Sequence, residues 1–214
     1  MQKAVNGQRS YDASLRRARA EQARERILAA ARELFLTAGY GATTITAIAH
    51  RAGVSTETVY KAFGGKPGLV RAIHQRSLLG RGPSPAEQRS DALQATETDP
   101  RVILERFGAF VTELSPLGSP VELLIRDAAA NGDKDMTALL AEVDAGRYKR
   151  MLHNAQTLVG RGLLAPGLSA EHAADVMWTY TAPGLYENLV VKRGWTPEAY
   201  GRFVGKALAA ALLE

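Results

Sequence analysis

The stretch TITAIAHRAGVSTETVYKAF, residues 44–63, decides the fold of the N-terminal part of the chain. It fits two short helices joined by a tight turn, with Thr44 and Ser55 as their N-caps. Helices that cross this closely need a small residue at the crossing and, in the turn, a residue that tolerates positive φ; Ala49 and Gly53 meet these needs. The apolar residues beneath the crossing would be Ile48, Val54 and Val59. The stretch therefore predicts a helix-turn-helix.

The second helix of this motif carries polar side chains near its N-terminal end, where recognition helices meet base edges and phosphates. Its exposed positions would be Thr56, Glu57, Thr58, Tyr60 and Lys61. The helix N-termini at Thr44 and Ser55 also offer backbone N–H groups to phosphate oxygens. Short helix pairs with a glycine turn also occur in helical proteins that do not bind DNA, so the motif alone leaves both interpretations open.

Charge is distributed unevenly along a chain whose net formal charge is +5. Residues 1–81 hold 14 basic and 5 acidic side chains, whereas residues 82–214 hold 13 basic and 17 acidic ones. A basic segment favours a polyanionic partner such as nucleic acid, and the alternative is a solvated basic arm without a partner. Together with the motif, this asymmetry favours DNA.

Residues 22–70 resemble the N-terminal domain of the TetR (tetracycline-repressor-like) family. The resemblance rests on Phe35, Gly39, Tyr40, Thr43, Thr44, Ile45, Ile48, Ala49, Ala52, Gly53, Val54, Ser55, Thr58, Val59, Tyr60, Phe63, Lys66 and Leu69. It implies an all-helical homodimer that binds a palindromic operator and is released by a small molecule. By the family pattern, phosphate contacts would come from Thr44, Ser55, Tyr60 and Lys66, and groove contacts from Thr56, Thr58 and Lys61.

The motif departs from the family pattern at two positions. Glu57 stands where the family usually has glycine, which places a carboxylate near DNA. That carboxylate either accepts a hydrogen bond from a cytosine amino group or faces a neighbouring basic residue, and we expect the second. Ala62 replaces a histidine or aromatic residue, so one phosphate contact of the family would be missing.

The rest of the chain shows apolar residues at helical spacing and almost no strand-like alternation, which predicts an all-α protein of about nine helices. The predicted domains are a basic flexible arm (1–21), a helix-turn-helix DNA-binding domain (22–81) and a ligand-binding and dimerisation domain (82–214). The helices are predicted at about 23–38, 45–52, 55–63, 67–80, 100–114, 120–131, 135–161, 169–193 and 196–213. Segment 81–99 is predicted as a linker or mobile loop, and Pro183-Gly184 as a kink or break.

The C-terminal half carries aromatic, histidine and methionine residues on predicted helices, and most of them should be ordinary core. Buried Trp, Tyr and His side chains usually need polar partners, however, and a cavity between helices is a common ligand site. The candidate pocket residues are Phe110, Tyr148, Met151, His153 and Trp178.

The last two helices combine apolar area with small residues. The apolar area comes from Val176, Tyr180, Leu185, Leu189 and Val190, and the small residues are Gly201, Gly205, Ala207, Ala209, Ala210 and Ala211. These residues fit either a monomer core or a homodimer through the last two helices, and the resemblance favours the homodimer.

Several function classes lack support in the sequence. The chain has no cysteine, no apolar run long enough for a membrane span, and none of the common nucleotide-binding or nucleophile-elbow motifs. Its four histidines are scattered, so no metal site, cofactor or enzyme activity is expected. The sequence predicts a cytoplasmic, DNA-binding transcriptional regulator, a repressor released from its operator by a small molecule. The alternative is a small-molecule carrier or enzyme that retains a vestigial DNA-binding domain.

Overall fold

A computed structural model describes the backbone of residues 4–214 and the side chains from Arg17 onward. Every regular element in this range is helical: ten α-helices and one short π-helical segment, with no strand. The prediction of an all-α protein is confirmed. None of the helices described is long and apolar enough to cross a bilayer.

The chain forms two compact units, an N-terminal unit that ends at Ile73 and a C-terminal unit, His74–Glu214. The N-terminal unit contains α1 (Ala4–Ala42), α2 (Ile45–Ala52), α3 (Thr56–Phe63) and the start of α4 (Lys66–Ser77). The division therefore falls inside α4, eight residues before the predicted domain boundary at residues 81 and 82.

Helix α1 begins far earlier than the sequence suggested. The prediction made residues 1–21 a loosely ordered arm, but the backbone is helical from Ala4. The arginine, alanine and glutamine residues of this stretch are good helix formers, which explains a helix without an apolar face. Residues 1–3 and the side chains up to Arg16 lie outside the described part. Gly39, at φ 84°, interrupts the helical geometry where the sequence predicted the helix end.

The C-terminal unit contains six α-helices. They are α5 (Ala86–Thr96), α6 (Pro100–Ala130), α7 (Lys134–Gly160), α8 (Ala170–Tyr180), α9 (Pro183–Tyr186) and α10 (Pro197–Leu213), with the π-helical segment Glu187–Lys192 after α9. Asp99, Ser169 and Thr196 are N-caps, and each accepts a hydrogen bond from a backbone N–H of the helix that follows. The predicted break at Pro183 is confirmed, because α8 ends at Tyr180 and α9 begins at Pro183.

Residues 81–99 were predicted as a linker or mobile loop, but the structure has helix α5 within this segment. Its buried residues are Ala86, Ser90 and Gln94, spaced four apart on one face. Two of the three are polar, so the face that packs inward does not appear in an apolar periodicity. The helix was missed for this reason.

Two helices were predicted at about 100–114 and 120–131, but the structure has a single helix, α6, over this segment. It runs unbroken through Pro116 and Pro120. An interior proline removes a hydrogen bond and costs about 3 kcal/mol, so packing along the helix has to offset that cost. Buried residues continue on both sides of the prolines, from Ile103 to Ile125.

Helices α6 and α10 approach each other through glycine. A Cβ added to Gly201 would overlap the Thr112 hydroxyl and the Gly108 carbonyl, and one added to Gly205 would lie 3.1 Å from the Leu104 carbonyl oxygen. Gly201 and Gly205 are buried in this contact. These two small residues of the last helix therefore serve the core of one chain, which is the alternative that the sequence analysis ranked second for them.

We expect Gly201→Ala to lower the free energy of unfolding by about 1–3 kcal/mol, because the added methyl group overpacks the α6–α10 contact. Gly146→Ala is the matched control: it also replaces a helical glycine, but its new Cβ has no atom of the described residues within 4 Å. That change should raise the free energy of unfolding by about 0.5–1 kcal/mol. Urea unfolding measures both, and equal effects would contradict the proposed close approach.

Candidate functional site

The helix-turn-helix has capped ends on both helices. The Thr44 hydroxyl accepts a hydrogen bond from the Ala47 N–H at 3.1 Å, and the Ser55 hydroxyl accepts one from the Thr58 N–H at 3.2 Å. Gly53, at φ 65°, provides the left-handed turn between the helices, and Ala49 is buried at their crossing. The predicted motif is confirmed.

The side chains predicted to meet DNA lie mostly at the surface. Tyr60 is 55% exposed although it is aromatic, whereas Val59 beside it is completely buried. The other exposed candidates are Thr44, Ser55, Glu57, Thr58 and Lys61, while Thr56 and Lys66 are half-buried. A capping hydroxyl still has its own O–H to donate, so Thr44 and Ser55 can cap a helix and bind a phosphate at the same time.

Glu57 lies in the first turn of α3. Its pKa lies below the ordinary value because the Glu57 backbone N–H donates to its carboxylate, assisted by the hydroxyls of Ser55 and Thr56. A carboxylate here stabilises the positive end of the helix dipole. In the free protein Glu57 is thus held by its own helix terminus rather than by the basic neighbour that the sequence analysis expected.

Lys66 is positioned by the residues that end α1. Its Nζ lies 4.3 Å from the centre of the Tyr40 ring and 3.5 Å from the Gly41 carbonyl oxygen. The Tyr40 ring in turn stacks on Phe35, with ring centres 5.8 Å apart. This cation–π contact limits where the ammonium group can go.

Two arginines of α1 hold the ends of the motif helices, and the sequence analysis did not single them out. Arg26 Nε donates to the Ala52 carbonyl at the end of α2, at 3.2 Å. The Arg24 guanidinium lies 4.4 Å from the centre of the Phe63 ring and donates to the Ala62 carbonyl, in the last turn of α3. Cations stabilise the negative C-terminal ends of helices. The contacts span 26 and 38 residues, so local sequence gave no signal for them.

The C-terminal unit contains a small cavity of about 10 Å³ among α5, α6, α7 and α8. It is lined by Ser90, Leu93, Gln94, Ile103, Leu104, Phe107, Phe110, Asn154, Leu158 and Met177. Its polar part is a buried cluster in which Gln94 Nε2 donates to Asn154 Oδ1 at 3.0 Å and to the Ser90 hydroxyl at 3.1 Å. These amides were not predicted, because Gln94 and Asn154 lie 60 positions apart and form no local motif.

Of the five residues predicted to form a ligand pocket, only Phe110 lines this cavity. Met151 is buried in the core, and His153 is at the surface, with Nε2 3.4 Å from Asp91. Tyr148 contacts Trp178 edge to face, with ring centres 6.5 Å apart. The structure therefore does not bring the five together. In the part of the chain described, no group of three acidic or histidine side chains could hold a metal ion.

The loop between α4 and α5 is fastened to α6 by Glu113. The Glu113 carboxylate accepts two hydrogen bonds from Arg89, at 2.7 and 3.0 Å, and one from the Arg81 backbone N–H. The hydrogen bonds from Arg89 are the main reason that the pKa of Glu113 lies below its ordinary value of 4.5. Arg89, which pairs with Glu113, and Gln94, which lines the cavity, both lie on α5.

Known proteins that resemble this chain are transcriptional regulators, the class of protein that the helix-turn-helix indicates. Residues 27–73 match the family described as bacterial regulatory proteins, tetR family. An uncharacterized HTH-type transcriptional regulator, YvkB of Bacillus subtilis, is 29% identical over 150 residues, which cover 70% of this chain and 74% of that protein. The chain is a DNA-binding transcriptional regulator, and its residues 27–73 are similar to the tetR family.

Two solved structures show the same fold. The SmeT–triclosan complex has a TM-score of 0.69 and 22% identity, covering 90% of this chain and 92% of that one. NalD, the secondary repressor of the MexAB-OprM multidrug efflux pump in Pseudomonas aeruginosa, has a TM-score of 0.68 and 20% identity, covering 92% and 98%. The likeness thus includes the C-terminal unit, which the family match does not reach.

We expect Lys66→Ala to weaken binding to specific and to random DNA by similar factors, because a phosphate contact carries no sequence information. The slope of log K against log salt should become shallower by about one. Lys149→Ala, which removes an exposed lysine of α7, is the control and should leave the slope unchanged. Titrations at four salt concentrations test this, and an unchanged slope for Lys66→Ala would remove Lys66 from the DNA contacts.

Glu113→Gln should lower the free energy of unfolding at pH 7 by about 1–3 kcal/mol, because Arg89 loses a charged acceptor. A carboxylate whose pKa is lower in the folded state stabilises the protein above its unfolded-state pKa, and loses that effect as the pH falls through the folded-state pKa. The difference between wild type and variant should therefore shrink on acidification below pH 4.5. Glu105→Gln, at an exposed position of α6, is the control. A difference that stays constant with pH would show that the charge of Glu113 is not what matters.

Proposed function

We propose that this protein is a cytoplasmic repressor that binds a palindromic operator as a homodimer and is released by a small molecule. The observation that carries the proposal is helix α3, which buries Val59 and exposes Tyr60 and its polar N-terminal turn. An exposed, rigidly capped helix of this kind is suited to the major groove. NalD is a repressor and SmeT forms a complex with triclosan, and both support a repressor that is released by a ligand.

The proposed contacts divide into two sets. Phosphate contacts come from Thr44, Ser55, Tyr60 and Lys66, and groove contacts come from Thr56, Glu57, Thr58 and Lys61. The capped N-terminus of α3 brings free backbone N–H groups to the same surface. Because the carboxylate of Glu57 is already accepting hydrogen bonds there, it reduces the attraction of this terminus for phosphate and favours a base donor in the groove.

The homodimer would use the last helices on the side that the glycine contact leaves free. Val191, Trp195 and Phe203 are exposed although they are large and apolar. The rings of Tyr180, Phe203 and Trp195 form a continuous edge-to-face series, with centres 6.3 and 5.7 Å apart. An exposed apolar patch of this kind fits a protein–protein contact. Gly201 and Gly205 stay in the core of each chain.

The alternative function, a carrier or enzyme with a vestigial DNA-binding domain, makes a different prediction for DNA. A repressor should bind the DNA upstream of its own gene more tightly than a shuffled duplex of the same composition, whereas a carrier should bind both equally. In a footprint on the upstream DNA, we expect two protected half-sites with centres about 34–36 Å apart, or a multiple of a helical turn.

The same footprint tests the separate parts of the proposal. A single protected half-site would contradict the homodimer, and equal binding to the shuffled duplex would contradict the regulator. Release requires reciprocity, because a ligand that lowers DNA affinity must itself bind more weakly when DNA is bound. A ligand whose affinity is the same with and without the operator duplex would show that the protein is not released by that ligand.

A further inference from the structure

We propose that the cavity of the C-terminal unit selects a neutral, largely apolar molecule that carries one hydrogen-bond donor, such as a hydroxyl group, and that this group donates to Gln94 Oε1. The inference rests on the proposed function, since it gives the chemical class of the molecule that the sensor unit would take. It is drawn from the chemistry of the cavity wall.

Among the residues that the structure describes, none donates a hydrogen bond to Gln94 Oε1, which is a buried acceptor. The side chain is only 3% exposed and lines the cavity. The Nε2 group of the same amide is fully engaged, because it donates to Asn154 Oδ1, to the Ser90 hydroxyl and to the Ser90 carbonyl at 3.3 Å. A buried polar group left without a partner costs about 1–3 kcal/mol. A ligand that donates to it recovers that free energy.

The orientation of the Gln94 amide is fixed by its surroundings. If its oxygen and nitrogen were exchanged, the oxygen would face the Ser90 carbonyl, which can only accept. The nitrogen therefore faces the cluster, and the oxygen is the atom left for a donor. A ligand that offers only acceptors, such as an ether or a ketone, cannot form a hydrogen bond with this oxygen.

The cavity wall excludes charged ligands. All ten lining residues are uncharged. Two charged groups that contact lining residues are already engaged. The Arg89 guanidinium lies 5.2 Å from the centre of the Phe110 ring and is paired with Glu113, and Arg161 donates to the Gln94 backbone carbonyl. Burying an unpaired charge here would be expensive. Phe107, Phe110 and Met177 favour a planar, polarizable ring.

The cavity has to widen to take such a molecule. Its volume of about 10 Å³ has room for about one water molecule. One wall is α5, whose buried face is small and polar, and which is tied to its neighbours by surface ion pairs such as Asp91–Arg150 at 2.7 Å. We therefore expect the cavity to widen by a movement of α5. The loop that precedes α5 is held by Glu113, which accepts a hydrogen bond from the Arg81 backbone N–H.

The experiment compares 2-naphthol with 2-methoxynaphthalene, which has the same rings but no donor, on the full-length chain. We expect 2-naphthol to bind roughly tenfold more tightly by equilibrium dialysis. The anion 2-naphthoate should bind more weakly than either. Equal affinities for the naphthol and the ether, or no binding of either at millimolar concentration, would overturn the proposal and leave the cavity as a water site.

Gln94→Met tests whether the preference arises at this residue. It keeps the length of the side chain and removes the acceptor, so the ratio of the two affinities should fall toward one. Gln156→Met, at an exposed position of α7, is the matched control and should keep the wild-type ratio. A preference that survives in Gln94→Met would place the donor site elsewhere and refute the assignment. The wild-type comparison does not depend on whether Gln94→Met folds.

The outcome can be separated from that of the proposed function. Naphthol binding is measured without DNA, and the footprint is measured without naphthol. If the footprint shows an operator but the two naphthalenes bind equally, the ligand class is wrong and the repressor stands. If no operator is found but 2-naphthol is preferred, the ligand class stands and the repressor does not.

Discussion

Helix α6 is the constraint on which the C-terminal unit depends. It stays helical through Pro116 and Pro120, with buried residues on both sides of the prolines, at 103–111 and at 118–125, and half-buried ones between them. Gly108 gives it the close contact with α10, Glu113 holds the preceding loop and Arg89, and Phe107 and Phe110 line the cavity. All of these contacts lie within residues 107–113 of α6, so one stretch of this helix brings α10, the loop before α5 and the cavity together.

The N-terminal unit is organised by how its helix ends are satisfied. Thr43 donates to the carbonyls of Leu34 and Gly39 at the end of α1, while Arg24 and Arg26 donate to the last carbonyls of α3 and α2. Short helices of eight residues are marginal in water, so fixed ends matter more for them than for long ones. The result is a recognition helix whose outward side chains need not take part in holding it in place.

The features that the sequence predicted correctly are local ones. The caps Thr44 and Ser55 accept hydrogen bonds from N–H groups three residues away, and the turn at Gly53 depends only on the φ of that glycine. The features that it missed depend on distant residues. Helix α5 packs inward through Ser90 and Gln94, whose partner Asn154 lies 60 positions from Gln94. Of the aromatic residues predicted for the pocket, Tyr148 and Trp178 contact each other, whereas the polar side chains that line the cavity include the amides of Gln94 and Asn154.

The polar inner face of α5 has a consequence for the stability of different parts of the fold. A helix that buries alanine, serine and glutamine contributes little hydrophobic free energy. The packing of α5 against the rest of the C-terminal unit is therefore stabilised mainly by ion pairs and hydrogen bonds. Regions with few buried apolar side chains open at a lower free-energy cost than the rest of a domain. In the resting protein, the amides of α5 should therefore exchange with solvent through local unfolding while those of α6 and α10 remain protected.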